Sequence, residues 1–255
     1  MLVRPLAPGV LGERHLALHE RDHSSHVVHR TAARHDRASQ KRFLDAIERI
    51  AALKHPHILP IEQFSTCPGG SGAVVTPYTG NQEGLVTLGS LLEMKGGRLG
   101  PNEADRALTH LLEAADYAHQ LGLGHGPVDL SRVLVDRHGR ASIELYGLER
   151  SLRGSAGVNA ELMRDEVRSI AEIGYQLLTG LPADEPRIPA GRLLKKLPPG
   201  WDEWLERGLD GVSGYSTAAE AIDALPSSRR DEPETQPRVS VLGVLSRFRW
   251  PSRSK

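Results

Sequence analysis

The sequence has 255 residues, in which 32 lysine and arginine residues balance 32 aspartate and glutamate residues. A formal net charge of zero gives the whole molecule no field that would attract nucleic acid, so we expect no nucleic-acid partner. Cys67 is the only cysteine, which excludes an intramolecular disulfide and fits a reducing compartment. Because we find no apolar run long enough to cross a bilayer and no signal-peptide pattern, we expect a cytoplasmic globular protein.

The first third of the chain has the pattern of strands joined by turns. Gly9 and Gly12 lie around one such turn, between residues 6 and 17. Glycines at this place let backbone N–H groups approach a phosphate without a Cβ in the way, although the same pair is equally expected in a plain hairpin. Residues 26–32 form a further predicted strand, which carries Arg30.

The middle of the chain changes from strands to helices. A helix is predicted over residues 40–53, where apolar side chains recur at helical spacing, and Pro56 follows it. Residues 73–80 form another predicted strand, with Pro77 marking where its pairing stops. Apolar residues on one face then predict three longer helical segments, over residues 88–95, 101–119 and 165–179.

Two stretches resemble the protein kinase family. Residues 125–136 read His-Gly-Pro-Val-Asp-Leu-Ser-Arg-Val-Leu-Val-Asp and follow a helical run, which resembles the family's catalytic loop H-R-D-L-K-P-x-N and the strand after it. Residues 164–182 resemble the family's central C-lobe helix, D-V-x-S-L-G-x-x-L-Y-E-L-L-T-G-x-P. The chain is therefore similar to bacterial-type serine/threonine protein kinases, in a degenerate form.

The resemblance implies a fold and a division of the chain. We expect an α+β, bilobal, protein kinase-like fold, with a small β-rich N-lobe over residues 1–80 and a larger, mostly helical C-lobe over residues 81–226. Residues 227–255 are rich in Pro, Ser and Arg, and we expect them to form a disordered tail.

The resemblance also implies where a nucleotide would bind. Gly9 and Gly12 match the family's glycine loop, and Arg30 stands where the family has its nucleotide-holding Lys, so these three residues are the nucleotide-site candidates. Arg14 replaces a small apolar residue that covers the adenine. The family's Glu partner of that Lys falls at Ala46, with Asp45 and Glu48 as stand-ins.

The positions that carry phosphoryl transfer are altered in this chain. Transfer needs metal ions on the phosphates and a carboxylate that orients the acceptor hydroxyl. By resemblance, Pro127 stands at the catalytic Asp and Asp129 at the Lys of the same loop, while Arg132 stands at the metal-binding Asn and Leu145 at the Asp of D-F-G. Proline and leucine offer no oxygen ligand for a metal ion. The sequence therefore predicts a pseudokinase, a catalytically inactive domain.

Two hypotheses follow for the remaining polar groups of this region. The rival to a pseudokinase is an atypical kinase or nucleotide-binding enzyme with a rearranged site that uses Arg30, Asp129 and Glu144. A further hypothesis is that Arg132 occupies the empty metal position and pairs with Asp129 or Glu144. The favoured alternative is that both acids are ordinary surface residues, either solvated or paired with an arginine.

Cofactors and partners follow from the same reading. We expect no metal site, because the histidines of the first strands do not share one face. We also expect no cofactor, with ATP binding without metal as the alternative. The expected partner is a protein, such as an active kinase whose signalling this domain would scaffold. The basic tail could touch a membrane surface or a partner groove, but a solvated end is the favoured reading.

Overall fold

In the computed structural model, which describes residues 1–32, 36–67, 70–155 and 157–226, the N-terminal third forms a five-stranded antiparallel sheet. Its spatial order is β1-β2-β3-β5-β4. The strands are β1 (Leu2–Gly9), β2 (Gly12–Leu18), β3 (Ser25–Arg30), β4 (Gln63–Thr66) and β5 (Gly72–Pro77). The expected tail at residues 227–255 lies outside the described residues.

One helix, α1 (Arg37–Ala51), covers this sheet. It buries Phe43, Ala46, Ile47 and Ile50 along one face. The helix packs close to β5, because a Cβ on Gly72 would lie 2.4 Å from the Phe43 ring. Helix α1 begins three residues before its predicted start, since Asp36 accepts a hydrogen bond from the Ser39 N–H and caps the first turn.

The rest of the described chain is mainly helical. Its helices are α2 (Leu88–Met94), α3 (Pro101–Gln120), α4 (Leu148–Leu152), α5 (Ala160–Thr179), α6 (Ala190–Leu193), α7 (Trp201–Leu209) and α8 (Ala218–Asp223). A short 3-10 turn (Leu130–Arg132) leads into a two-stranded ribbon of β6 (Val133–Val135) and β7 (Ala141–Ile143). None of the helices in this described part is long and apolar enough to cross a membrane.

Helices α3 and α5 form the centre of the helical half. They pack closely where α5 carries Gly174, since a Cβ at this position would lie 2.9 Å from a methyl group of Leu108. Helix α5 begins five residues before its predicted start, because Asn159 accepts a hydrogen bond from the Leu162 N–H. It ends at Gly180, whose φ of 75° is the left-handed conformation that glycine adopts most easily.

The two halves are joined by backbone pairing as well as by packing. Beyond α1, the Leu59 N–H donates to the Ile143 carbonyl, and the Ile143 N–H donates to the His57 carbonyl. The end of β7 is thereby held against the segment that joins α1 to β4. A continuous set of buried apolar residues runs from Phe43 in the sheet half to Leu225 in the helical half. Glu144, the residue after β7, consequently lies between the halves.

Candidate functional site

The loop of residues 125–132 is anchored on helix α5. The backbone N–H groups of His125 and Gly126 donate to Glu166 Oε2 at 2.8 and 3.0 Å, and the Val128 N–H donates to the Ser169 hydroxyl at 2.8 Å. Glu166 is fully buried, so these donors replace the water that its carboxylate loses. The loop therefore has a fixed position relative to the helical core.

Glu166 also fixes the segment that follows Glu144. The Tyr146 hydroxyl donates to Glu166 Oε1. Burial raises the pKa of Tyr146 well above its ordinary value, and the neighbouring Glu166 charge adds to that rise, so the hydroxyl keeps its proton. Leu145, next to it, is buried with a left-handed φ of 50°, which is uncommon for a residue with a side chain.

A buried ion pair spans the space between the β1–β2 hairpin and the end of β7. Arg14 Nη1 donates to both carboxylate oxygens of Glu144, at 2.9 and 3.0 Å. The same guanidinium donates through Nε to the Ala7 carbonyl at 2.7 Å and through Nη2 to the Pro8 carbonyl at 3.1 Å. Arg14 is 6% exposed and Glu144 only 2%. We call this group the Arg14–Glu144 pair.

The hairpin is shaped around this pair. A Cβ on Gly9 would lie 2.8 Å from Arg14 Cδ, so the absence of a side chain at Gly9 makes room for the arginine. Gly12 has a φ of 108°, which a turn glycine adopts readily. Burial raises the pKa of the Glu144 carboxyl, and the Arg14 guanidinium limits that rise.

His29, and not Arg30, lies beside the pair. Arg14 and His29 are partners across β2 and β3, and His29 Nε2 lies 3.9 Å from Glu144 Oε1 and 3.0 Å from the Thr76 hydroxyl oxygen. Burial, followed by the charge of Arg14, lowers the pKa of His29 to about 3, so the ring is neutral at pH 7. Arg30 is exposed because alternate residues of a strand face opposite sides.

The chain is similar in sequence to known serine/threonine-protein kinases. No family model matches the chain. The serine/threonine-protein kinase PknB of Mycobacterium tuberculosis is 25% identical over an alignment 275 positions long. The alignment covers 91% of this chain and 43% of that protein. The probable serine/threonine-protein kinase PknB of Bifidobacterium longum is 23% identical over an alignment 265 positions long. The alignment covers 83% of this chain and 37% of that protein. The chain thus spans less than half the length of these curated relatives.

A solved structure decides the fold. The crystal structure of a double mutant of the PknI kinase domain of Mycobacterium tuberculosis matches with a TM-score of 0.66 and 22% sequence identity, covering 88% of this chain and 93% of that one. The chain has a protein kinase-like fold. The predicted α+β architecture, with a β-sheet N-lobe and a helical C-lobe, is confirmed.

The residues that the resemblance placed at catalytic positions differ in their surroundings. Pro127 is exposed and has neither a titratable group nor a donor. Asp129 is also exposed, and its carboxylate accepts from the Ser131 N–H at 2.7 Å, which caps the 3-10 turn. Leu145 turns an apolar, buried side chain to the core. Asp45 and Glu48, the expected stand-ins for the carboxylate at Ala46, are exposed on α1 and form no ion pair within the described ranges.

The pairing expected for Arg132 is wrong. Its guanidinium donates to Glu149 Oε2 at 2.9 Å, and not to Asp129 or Glu144. This hydrogen bond is the main cause that lowers the pKa of Glu149. Glu144 is paired with an arginine, Arg14, but the expectation that it lies at the surface is wrong, because it is buried between the two halves.

Sequence reasoning missed the Arg14–Glu144 pair although both residues were visible. An arginine in a position that the family fills with a small apolar residue was one signal, and a glutamate directly before Leu145 was the other. The two residues are 130 positions apart, and only the fold brings them together.

Proposed function

We propose that this chain is a catalytically inactive protein kinase-like domain, a pseudokinase, which acts on signalling by binding another protein as a scaffold or allosteric partner. The observation that carries the proposal is the Arg14–Glu144 pair. In protein kinases the glycine loop covers the phosphates of the nucleotide. Here the carbonyls of Ala7 and Pro8 in the corresponding hairpin accept hydrogen bonds from Arg14. The hairpin therefore covers the Arg14 guanidinium, in the place where a kinase covers nucleotide phosphates.

The energetics of the pair support a closed cleft. Separating a buried ion pair leaves uncompensated charges and costs about 3–5 kcal/mol when one partner is lost. A nucleotide entering between the hairpin and Glu144 would have to displace Arg14 from its acceptors. Its phosphates would also meet the Glu144 carboxylate, which repels them unless a cation lies between.

The chemistry of the loop supports the same conclusion. Pro127 and Leu145 supply no oxygen for a metal ion or an acceptor hydroxyl, and Arg132 brings a positive charge to the position of a metal ligand. The rival enzyme would need Arg30, Asp129 and Glu144 to act together. Arg30 and Asp129 are exposed, whereas Glu144 is buried against Arg14, which favours the non-catalytic function.

The partner and ligands proposed for this domain follow from that function. We propose a protein partner, with an active kinase as the first candidate, and neither nucleic acid nor a metal cofactor. Gly9 makes room for Arg14, which weighs against the alternative of ATP binding without metal. The proposed cytoplasmic setting agrees with the single cysteine.

A thermal-shift titration with ATP, with and without Mg²⁺ or Mn²⁺, tests the proposal. A ligand that binds only the folded state raises the melting temperature by mass action. We expect no rise for the natural chain at millimolar ATP. We expect the double variant Arg14→Val/Glu144→Val, which removes both charges from the cleft, to gain a rise. A metal-dependent rise in the natural chain would instead favour the rival enzyme, and phosphoryl transfer would then be measured.

A further inference from the structure

A cavity with several arginines in its lining lies at the loop of residues 125–132. It has a volume of about 250 Å³ and is lined by the loop of residues 125–132 and by the first turns after Leu145. Three arginines face it, Arg132, Arg150 and Arg153, against the two acids Asp129 and Glu149. Burial lowers the pKa of His125, which also lines the cavity, so this ring adds no charge at pH 7.

The arginines of this cavity are unequally paired. Glu149 binds two of them, since Arg132 Nη2 donates to one of its oxygens at 2.9 Å and Arg153 Nη2 to the other at 2.6 Å. Arg150 differs from both. Its guanidinium forms no hydrogen bond and no ion pair with any described residue. An anion that enters the cavity would therefore meet one guanidinium group that no carboxylate already neutralises.

From this geometry we propose that the cavity binds the phosphate-monoester group of a phosphorylated peptide. Arg150 supplies a free donor, and Arg132 and Arg153 supply two more guanidinium groups that a ligand must win from Glu149. A ligand with a carboxylate carries the same charge as the Glu149 side chain, so it gains little by replacing Glu149 as the partner of these arginines. A phosphate monoester carries up to two negative charges and three acceptor oxygens, and therefore competes better.

The surroundings favour a peptide over a free anion. Asp129 also lines a neighbouring groove of about 670 Å³, in which Glu93, Glu172 and Asp184 lie. This acidic groove attracts basic side chains and repels the phosphate chain of a nucleotide or a free anion. The proposed ligand is thus a phosphorylated residue beside basic residues, which resembles the product of a kinase rather than its substrate.

The inference rests on the proposed function and names the chemistry of its partner. Loss of the catalytic carboxylates is what allows it. A carboxylate at Pro127 or at Leu145 would repel the phosphate group in this cavity, whereas the residues present leave the three arginines dominant.

Fluorescence anisotropy with labelled synthetic peptides tests the proposal without any nucleotide. The probe has one phosphothreonine between lysines, and the comparison peptides carry threonine or glutamate at the same place. We expect the phosphopeptide to bind at least about tenfold more tightly than either comparison peptide, because each new hydrogen bond between charged groups lowers the dissociation constant roughly tenfold. Equal binding of the three peptides would overturn the proposal. Inorganic phosphate that binds as tightly as the phosphopeptide would overturn the assignment to a peptide.

Two variants with opposite expected effects locate the site. Arg150→Gln should weaken phosphopeptide binding about tenfold, while Glu149→Gln should strengthen it because Arg132 and Arg153 are released. A folding defect would not give a gain. Arg42→Gln, which removes one exposed charge from α1, is the matched control and should change nothing. Unaltered binding by a folded Arg150→Gln protein would overturn the proposal, whereas ATP binding by the natural chain would overturn only the proposed function.

Discussion

Separate and joint removal of the two charges of the Arg14–Glu144 pair should have very different effects on stability. Glu144→Gln leaves the Arg14 charge buried without a counter-charge, and the new amide oxygen is a neutral acceptor like the carbonyls of Ala7 and Pro8. Because these neutral acceptors remain, the loss should lie near the lower end of the range for a broken buried pair, at about 3 kcal/mol of unfolding free energy.

Arg14→Met leaves the opposite charge, and its cost should depend on pH. Burial already raises the pKa of Glu144 above its ordinary value of 4.5, and loss of the guanidinium raises it further. The folded variant therefore binds a proton that the unfolded chain has released, so the variant loses stability as the pH rises above 4.5. At pH 8 we expect a loss of about 3–5 kcal/mol, and at pH 5 a smaller one.

The double variant Arg14→Met/Glu144→Leu should recover nearly all of this loss. Replacement of a buried pair by apolar groups is often neutral, so we expect it within about 1 kcal/mol of the natural chain. Urea unfolding of the natural chain, Arg14→Met, Glu144→Leu and the double variant closes a double-mutant cycle and gives the coupling energy. The exposed pair of Arg168 and Glu172, 3.4 Å apart, is the control, and Arg168→Gln should cost less than about 1 kcal/mol. Single variants at the buried pair that cost no more than this control would refute the reasoning.

Three further perturbations have defined outcomes. Gly9→Ala places a Cβ 2.8 Å from Arg14 Cδ and should cost about 1–3 kcal/mol in urea unfolding. The same change should cost little in an Arg14→Ala background, and an equal cost in both would contradict the contact. Tyr146→Phe removes a donor from the buried Glu166 carboxylate and should cost about 1–3 kcal/mol in the same assay, and an unchanged urea midpoint would contradict this role. His29 has a pKa lowered from 6.5 to about 3, so the unfolded chain binds the proton first and stability falls as the pH drops below 6.5. From this residue we expect a loss of about 2 kcal/mol at pH 5, and a flatter pH profile for His29→Gln.

The helices and the fold class could be predicted because local patterns decide them. Helix α5 shows an apolar face and a terminal Gly180, and the structure has both. Its start was predicted late because Asn159 lies outside the apolar pattern, although its side chain makes the capping hydrogen bond. Capping depends on one polar atom, which periodicity does not detect.

The candidate site was harder to predict because it depends on strand faces and long-range contacts. Alignment with a motif placed the cationic residue of β3 at Arg30, yet the period of two along the strand turns His29 towards Glu144 and Arg30 to solvent. Glu149 lies on the short helix α4, which the sequence does not indicate by any apolar repeat. Its contact with Arg132 therefore could not be foreseen.

The altered residues of the cleft are physically consistent with one another. A metal-bound nucleotide between the hairpin and Glu144 would need the space that the Arg14 guanidinium fills, and Arg14 would first have to leave Glu144 and the hairpin carbonyls. An arginine at position 14 is compatible with a buried Glu144 and with an apolar Leu145, and both are present. Restoring the carboxylates at Pro127 and Leu145 alone would leave Arg14 bound to Glu144 and the hairpin carbonyls. The Arg14–Glu144 pair is for this reason a stronger sign of a non-catalytic domain than any single missing catalytic residue.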